Sequence, residues 1–265
     1  MSVVNALSKN LEVWIRRDGK EYNLSFAGGR KRGKLDVVGK VGKANTGTTI
    51  RFWPDPKYFD SANFSLPRLQ HLLRAKAVLC PGLEIRLEVE KPAEKHRWQY
   101  AGGLEEYLTE ALGEREWLPE EPFSGSLTGK RDAVDWAVLW TPGESQLVGE
   151  SYVNLIPTPQ GGTHVNGLRS GLTEALREFC EFRNLLPRGV RLAPEDVWDG
   201  VSFILSVKME DPQFSGQTKE RLSSRECAGF VSGVGYANIW TLPDGPAAGS
   251  AVGFIEQDER ATATR

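Results

Sequence analysis

Alternation with a period of two dominates the first quarter of the chain. Leu11, Val13 and Ile15 interleave with more polar neighbours, Asp18-Gly19 is the dipeptide of a two-residue hairpin, and Tyr22, Leu24 and Phe26 resume the alternation on the return. Before them Val3, Val4 and Leu7 stand at helical spacing, which predicts a short helix capped by Ser2 and running to about Lys9. Gly28-Gly29 interrupts the sheet, strands follow at residues 35–41 and 48–53, and Pro54-Asp55-Pro56 stops the ladder. Ser65 then opens a helix with Pro67 in its first turn and Leu69, Leu72, Leu73, Ala77 and Val78 on one face; Cys80-Pro81-Gly82 ends it. Leu83, Ile85, Leu87 and Val89 alternate as a strand, and the charged residues 90–97 read as a connector.

The second block opens with Gly102-Gly103 and a helix over residues 104–112. The Pro-, Gly- and Ser-rich residues 119–129 read as a loop leading into an apolar run, 133–140, that fits a strand buried on both faces, with 148–156 as its partner. A long helix over 164–184 carries Val165, Leu168, Leu172, Leu176 and Phe179 on one stripe, residues 194–198 make one or two helical turns, and 201–207 form another buried strand. Helices mixed with hairpins predict an α+β protein divided at 1–97, 98–234 and 235–265. From Asp244 the composition turns to Ala, Gly, Ser and Thr without periodicity, and a disordered tail is expected.

Composition narrows the class. With 40% hydrophobic and 26% charged residues the 265-residue chain reads as a globular protein, and no run approaches the roughly 18 apolar residues of a membrane helix, so a cytoplasmic location and no membrane partner are expected. Cys80, Cys180 and Cys227 are scattered in apolar helical contexts, as buried reduced thiols are. His71, His96 and His164 are equally dispersed, and no metal site is expected from the chain's own residues. A net charge of −2 gives no global footprint for nucleic acid, and Arg30-Lys31-Arg32 reads as a solvated turn. Trp53, Trp136 and Trp140 lie in strand contexts that favour core packing over base stacking.

The segment with chemical content is DPQFSGQTKERLSS, residues 211–224, between a buried strand and a candidate helix. In an extended loop Gln217 and Lys219 project to one side while Thr218 points away, so a neutral amide and a compact cation converge on one ligand group. A terminal phosphate suits that pair, because both groups act on charge developing during phosphoryl transfer.

The same string resembles the loop by which the transducer domain of B subunits of bacterial type II DNA topoisomerases, gyrase and topoisomerase IV, reaches the ATP site. SVVNALSK at 2–9 resembles the helix after the ATP lid, TGTTIRFWPD at 46–55 a strand closing the Bergerat (GHKL) nucleotide fold, and QGGTHVNGLR at 160–169 a transducer signature. LLPRGVRLAPEDVWDG and FILSVKMEDPQF are closer to topoisomerase IV than to gyrase, and the resemblance runs from Ser2 to Val234.

The resemblance implies the C-terminal part of a GHKL ATPase fold followed by a transducer domain like domain 2 of ribosomal protein S5. It implies that Lys219 contacts the γ-phosphate as the catalytic cation and that Gln217 senses the same group. Thr48 is expected near adenine, Ser2 at the phosphate-favouring N-terminus of the lid helix and Arg17 beside the nucleotide pocket; His164 is expected to open its helix structurally. ATP and Mg²⁺ are the implied cofactors, with the magnesium ligands outside the chain. DNA, the topoisomerase A subunit and a second copy of the ATPase subunit are the implied partners. In the family the water-activating glutamate, the magnesium-binding asparagine, the adenine-reading aspartate and the Gly-rich lid precede the stretch that Met1 opens, so the chain alone is expected to hydrolyse no ATP. Two other readings stand beside this one: a non-catalytic module binding DNA or a partner through Arg169, Arg177 and Arg183, and a truncated gene product without a function of its own.

Overall fold

Asp18 and Gly19 both adopt left-handed backbone, φ 54° and 74°, the conformation that reverses a strand in two residues. β1 (Ser8–Arg17) and β2 (Lys20–Ala27) therefore pair antiparallel from Arg17 opposite Lys20 to Asn10 opposite Ala27. β3 (Arg30–Lys40) extends the sheet beyond β2, and β4 (Gly47–Pro54) returns to the far side of β1, giving the order β3-β2-β1-β4. Opposed residues share a face, so Leu11 lies between Phe26 and Phe52, Val13 between Leu24 and Ile50, and Ile15 between Tyr22 and Thr48. Of this apolar face only Leu11 is buried; Ile50, Phe52 and, opposite Tyr22, Val37 are exposed.

The structure, a computed structural model, describes residues 1–61, 63–187 and 189–239; the tail expected from Asp244 lies outside them. α1 (Ser2–Ala6) is shorter than its hydrophobic spacing suggested. Met1, not Ser2, occupies the capping position, no side chain caps the helix, and β1 already pairs with Pro54 from Ser8 onward. Trp53 is a second correction. Its position opposite Asn10 places it on the other face from Phe52, where it stays 36% exposed with the Arg51 guanidinium 4.7 Å from its ring centre.

The chain divides into two compact units after Leu69, not after residue 97. α2 (Leu66–Leu79) spans that division, and its buried residues Ala75, Ala77, Val78 and Leu79 belong to a core of the second unit together with Tyr107 and Leu108 of α3 (Gly103–Leu112). Residues 90–97 are not a connector: β5 (Ile85–Val89) and β6 (Glu94–Trp98) form a hairpin. The alternation in β6 was hidden because two inward positions are polar. Glu94 and His96 face Gln70, whose amide nitrogen lies 3.0 Å from His96 Nε2, and the His96 ring stacks on Trp98.

The main sheet of the second unit has the order β10-β9-β11-β8-β7, built from β7 (Leu118–Thr128), β8 (Asp132–Trp140), β9 (Gly149–Val153), β10 (Ile156–Pro157) and β11 (Val201–Met209). β8 is buried on both sides. Val134, Trp136 and Val138 face α4 (Thr163–Arg183), α5 (Pro194–Trp198) and α6 (Arg225–Ile239), whereas Ala137 and Leu139 face α2 and α3. Two expectations fail here. Residues 119–129 are the edge strand β7, where prolines are tolerated, and Gly125 is required because Trp136 lies directly across it. β9 pairs with β11 in parallel and not with β8, after a crossover through α4 and α5. Cys180 and Cys227 are buried thiols, Cys80 is only partly covered, and α6 continues past Gly235 to Ile239.

Candidate functional site

The loop from β11 to α6 is a small closed structure. Ser215 N–H donates to Arg221 O (2.9 Å), Ser223 N–H to Gln213 O (2.8 Å) and Gln213 N–H to Ser224 Oγ (2.9 Å), and Phe214 and Leu222 form an antiparallel bridge. Leu222, 1% exposed, anchors the base in the core shared with α4 and α6. The tip is a turn rather than the extended segment expected: Gly216 has φ 98° and Lys219 φ 59°. Simple alternation of Gln217 and Lys219 is thereby lost, although the turn still gathers both onto one exposed tip. The Lys219 ammonium has no ion pair among the described residues and lies 5.8 Å from the Phe214 ring centre; the Gln217 amide makes no hydrogen bond among them. A left-handed non-glycine residue costs about 1 kcal/mol, so the surrounding structure must hold Lys219 there.

That hold comes from the start of α4. Gln160 N–H donates to Glu220 O (3.0 Å) and Gln160 Nε2 to Glu220 Oε2 (2.9 Å), while Leu222 N–H donates to Gly161 O (3.0 Å) and Thr163 N–H to Leu222 O (3.1 Å). Gly162, at φ 134°, admits this ladder only because it lacks a side chain: a Cβ there would lie 2.6 Å from Leu222 N. Further along α4, Gly167 and Gly171 let α6 approach so closely that Cβ atoms would stand 3.1 Å from Ala228 Cα and 3.0 Å from Ser232 Cα. The sequence pointed to the Gly-Gly string but not to Gln160 and Glu220 as partners; the only signal was the presence of both motifs.

Beneath the ladder His164 is fully buried, its Nε2 3.0 Å from Thr158 Oγ1. Thr158 Oγ1 donates to Ser151 O (2.9 Å), so it accepts from an Nε2–H, and Nδ1 is left without a partner among the described residues. Burial depresses the imidazole pKa to about 4, which keeps it neutral. This is the structural role expected of it: it ties the end of β9 to the first turn of α4.

The remaining predicted site residues lie in the first unit. Arg17 and Thr48 come together at one end of the apolar sheet face, where Arg17 is 78% exposed beside Asp18 (3.6 Å) and Thr48 is exposed opposite Ile15. Ser2 sits in α1, by the other end of β1, roughly 20 Å away along the strand, so the sheet does not bring it to them. No group of three His, Cys, Asp or Glu among the described residues could hold a metal ion, so these residues do not supply a magnesium site. The three arginines of the alternative binding reading are engaged within the fold: Arg169 with Glu195 (2.9 Å), Arg177 with Leu192 O (2.6 Å), and Arg183 against the Phe179 ring. No helix among the described residues is long and apolar enough to cross a membrane.

Against known proteins, the chain is 63% identical over 234 residues to the ATPase-bearing B subunit of DNA topoisomerase 4 from Pseudomonas aeruginosa, a match covering 88% of the chain and 37% of that relative. It thus spans little more than a third of the curated relatives it matches. The solved topoisomerase IV ATP-binding domain of Francisella tularensis, in complex with a small-molecule inhibitor, superposes with a TM-score of 0.80 at 38% identity, covering 98% of the chain and 72% of that domain. The 43K ATPase domain of Thermus thermophilus gyrase B, in complex with an aminocoumarin, gives 0.81 at 30%, covering 98% and 70%. The α+β fold is therefore that of the ATPase domains of gyrase B and its topoisomerase IV counterpart, part of a GHKL nucleotide fold followed by a transducer. A family model described as DNA gyrase B matches residues 103–239, which hold α4, the Lys219 loop and α6. The chain belongs to the DNA gyrase B family.

Proposed function

We propose that the chain is the part of a type II topoisomerase ATPase subunit that reads the outermost phosphate of ATP and passes that reading to the rest of the enzyme. The first unit serves as the end of the nucleotide fold, with Arg17 and Thr48 at its nucleotide-facing end and Ser2 at the lid helix. The second serves as the transducer. The observation that carries the proposal is the hydrogen-bonded loop that presents an unpaired Lys219 ammonium and a free Gln217 amide on an exposed tip. Such a tip fits a terminal phosphate: the ammonium offsets charge that grows in the transition state, and the amide adds a neutral donor. When bound, ATP with magnesium supplies the phosphoryl group, and magnesium is held by residues other than those described. In the assembled enzyme, acting in the cytoplasm, two such subunits close over ATP and work with the A subunit to move one DNA duplex through another.

The test exchanges the 234-residue matched stretch of the Pseudomonas aeruginosa relative for the corresponding residues of this chain. With its A subunit the chimera is expected to relax supercoiled DNA in an ATP-dependent way. Lys219→Ala should lower the kcat for ATP hydrolysis about 100-fold or more, the cost of removing a donor aimed at developing charge. Hydrolysis at the unsubstituted rate after that replacement overturns the reading.

A further inference from the structure

Resting on that reading, we infer that Gln160 is a positioning residue for Lys219: by gripping Glu220 through both backbone and side chain, it keeps the lysine in its left-handed conformation at the loop tip. Lys219 is the one non-glycine residue of the loop with positive φ, and it lies between two fixed points. On its N-terminal side, Ser215 is tied to Arg221. On its C-terminal side the very next residue is gripped twice by Gln160, the backbone amide to Glu220 O at 3.0 Å and the side-chain amide to Glu220 Oε2 at 2.9 Å. The backbone contact alone leaves Glu220 free to rotate about its own ψ. The side-chain contact adds a second point and so fixes the direction from which the chain leaves Lys219. A backbone in a sparsely populated region persists only where its neighbours over-determine it, and loss of either contact lets φ return to negative values and swings the ammonium off the tip. Because Gln160 is two residues ahead of Gly162 and three ahead of α4, the same grip makes any displacement of Lys219 a displacement of the α4 N-terminus. The amide is suited to this work: a lysine here would pair with Glu220 but add a second cation at the tip, and a carboxylate would repel it.

The test uses donor and acceptor exchange. In the chimera, Gln160→Glu sets two carboxylates against each other and is expected to lower the kcat for ATP hydrolysis about tenfold with KM for ATP within about twofold, since Lys219 is misplaced while the adenine-binding region is untouched. The double variant Q160E/E220Q restores the hydrogen bond with its direction reversed and is expected to recover most of the rate. In the 265-residue chain, tryptic cleavage after Lys219 should be several-fold faster in Q160E and return to the original rate in the double variant, a readout independent of ATP. A single variant that matches the parent in both assays overturns the inference, as does a double variant that stays as impaired as Q160E. If Q160E does not fold, Gln160→Ser, which removes the side-chain grip without repulsion, takes its place under the same criteria. Unchanged hydrolysis in K219A would instead overturn the proposed function, leaving the proteolysis to judge the grip by itself.

Discussion

The buried histidine makes a quantitative pH prediction. His164 is fully buried, bonded only through Nε2, and its pKa is depressed to about 4, whereas in the unfolded chain it titrates near 6.5. Between those values the unfolded chain takes up a proton that the folded chain refuses, so stability is complete above about pH 6.5 and falls as the pH falls toward 4. The full gap of roughly 2.5 units corresponds to about 3 kcal/mol, of which about 2 kcal/mol is already lost at pH 5. With a urea m-value of about 2 kcal/mol/M, the midpoint should drop by about 1 M between pH 7.5 and pH 5. The measurement is urea unfolding of the chain followed by tryptophan fluorescence, for the parent and for His164→Gln, whose amide can still donate to Thr158 but does not titrate. The replacement costs a constant amount at every pH. Groups that titrate elsewhere affect both proteins equally, and the difference between the two pH slopes isolates the histidine. Parallel slopes would show that His164 carries its proton inside the fold, and the argument from burial would be wrong.

Lys219→Gly should raise stability by about 0.5–1 kcal/mol, seen as a higher Tm, because it relieves the left-handed backbone, while abolishing most ATP turnover in the chimera. Gly171→Ala should cost about 1–3 kcal/mol in denaturant titration, since a Cβ would press into Ser232 and force α4 and α6 apart; an unchanged midpoint would mean that the helices are not in close contact in solution. Ile50→Lys, on the uncovered face of β4, should reduce concentration-dependent self-association in sedimentation velocity with less than about 0.5 kcal/mol change in stability, because the exposed edge and its apolar row offer a template for another strand.

Local chemistry was enough for the hairpin at Asp18-Gly19, for the long helix ending at Asn184 in left-handed backbone, and for the run around Ala137 that is buried on both faces. Each depends on forces acting within a few residues, or on a pattern that survives any arrangement of neighbours. Composition misled where a neighbour changed its meaning. β7 looks like a loop until Trp136 is laid across Gly125, and β6 looks like a connector until Gln70 and Trp98 take up its polar inward side chains.

The candidate site divides along the same line. The string around Lys219 shows by itself that a cation and an amide sit close together between a strand and a helix, and its likeness to one enzyme family names the phosphate they suit. It does not show that Lys219 takes φ 59°, or that residues some 60 positions earlier hold it there. A strained backbone is stable only through contacts from outside its own segment. Gln160, Gly162 and Leu222 meet because two helices pack against the sheet, and no pattern of adjacent residues encodes that meeting.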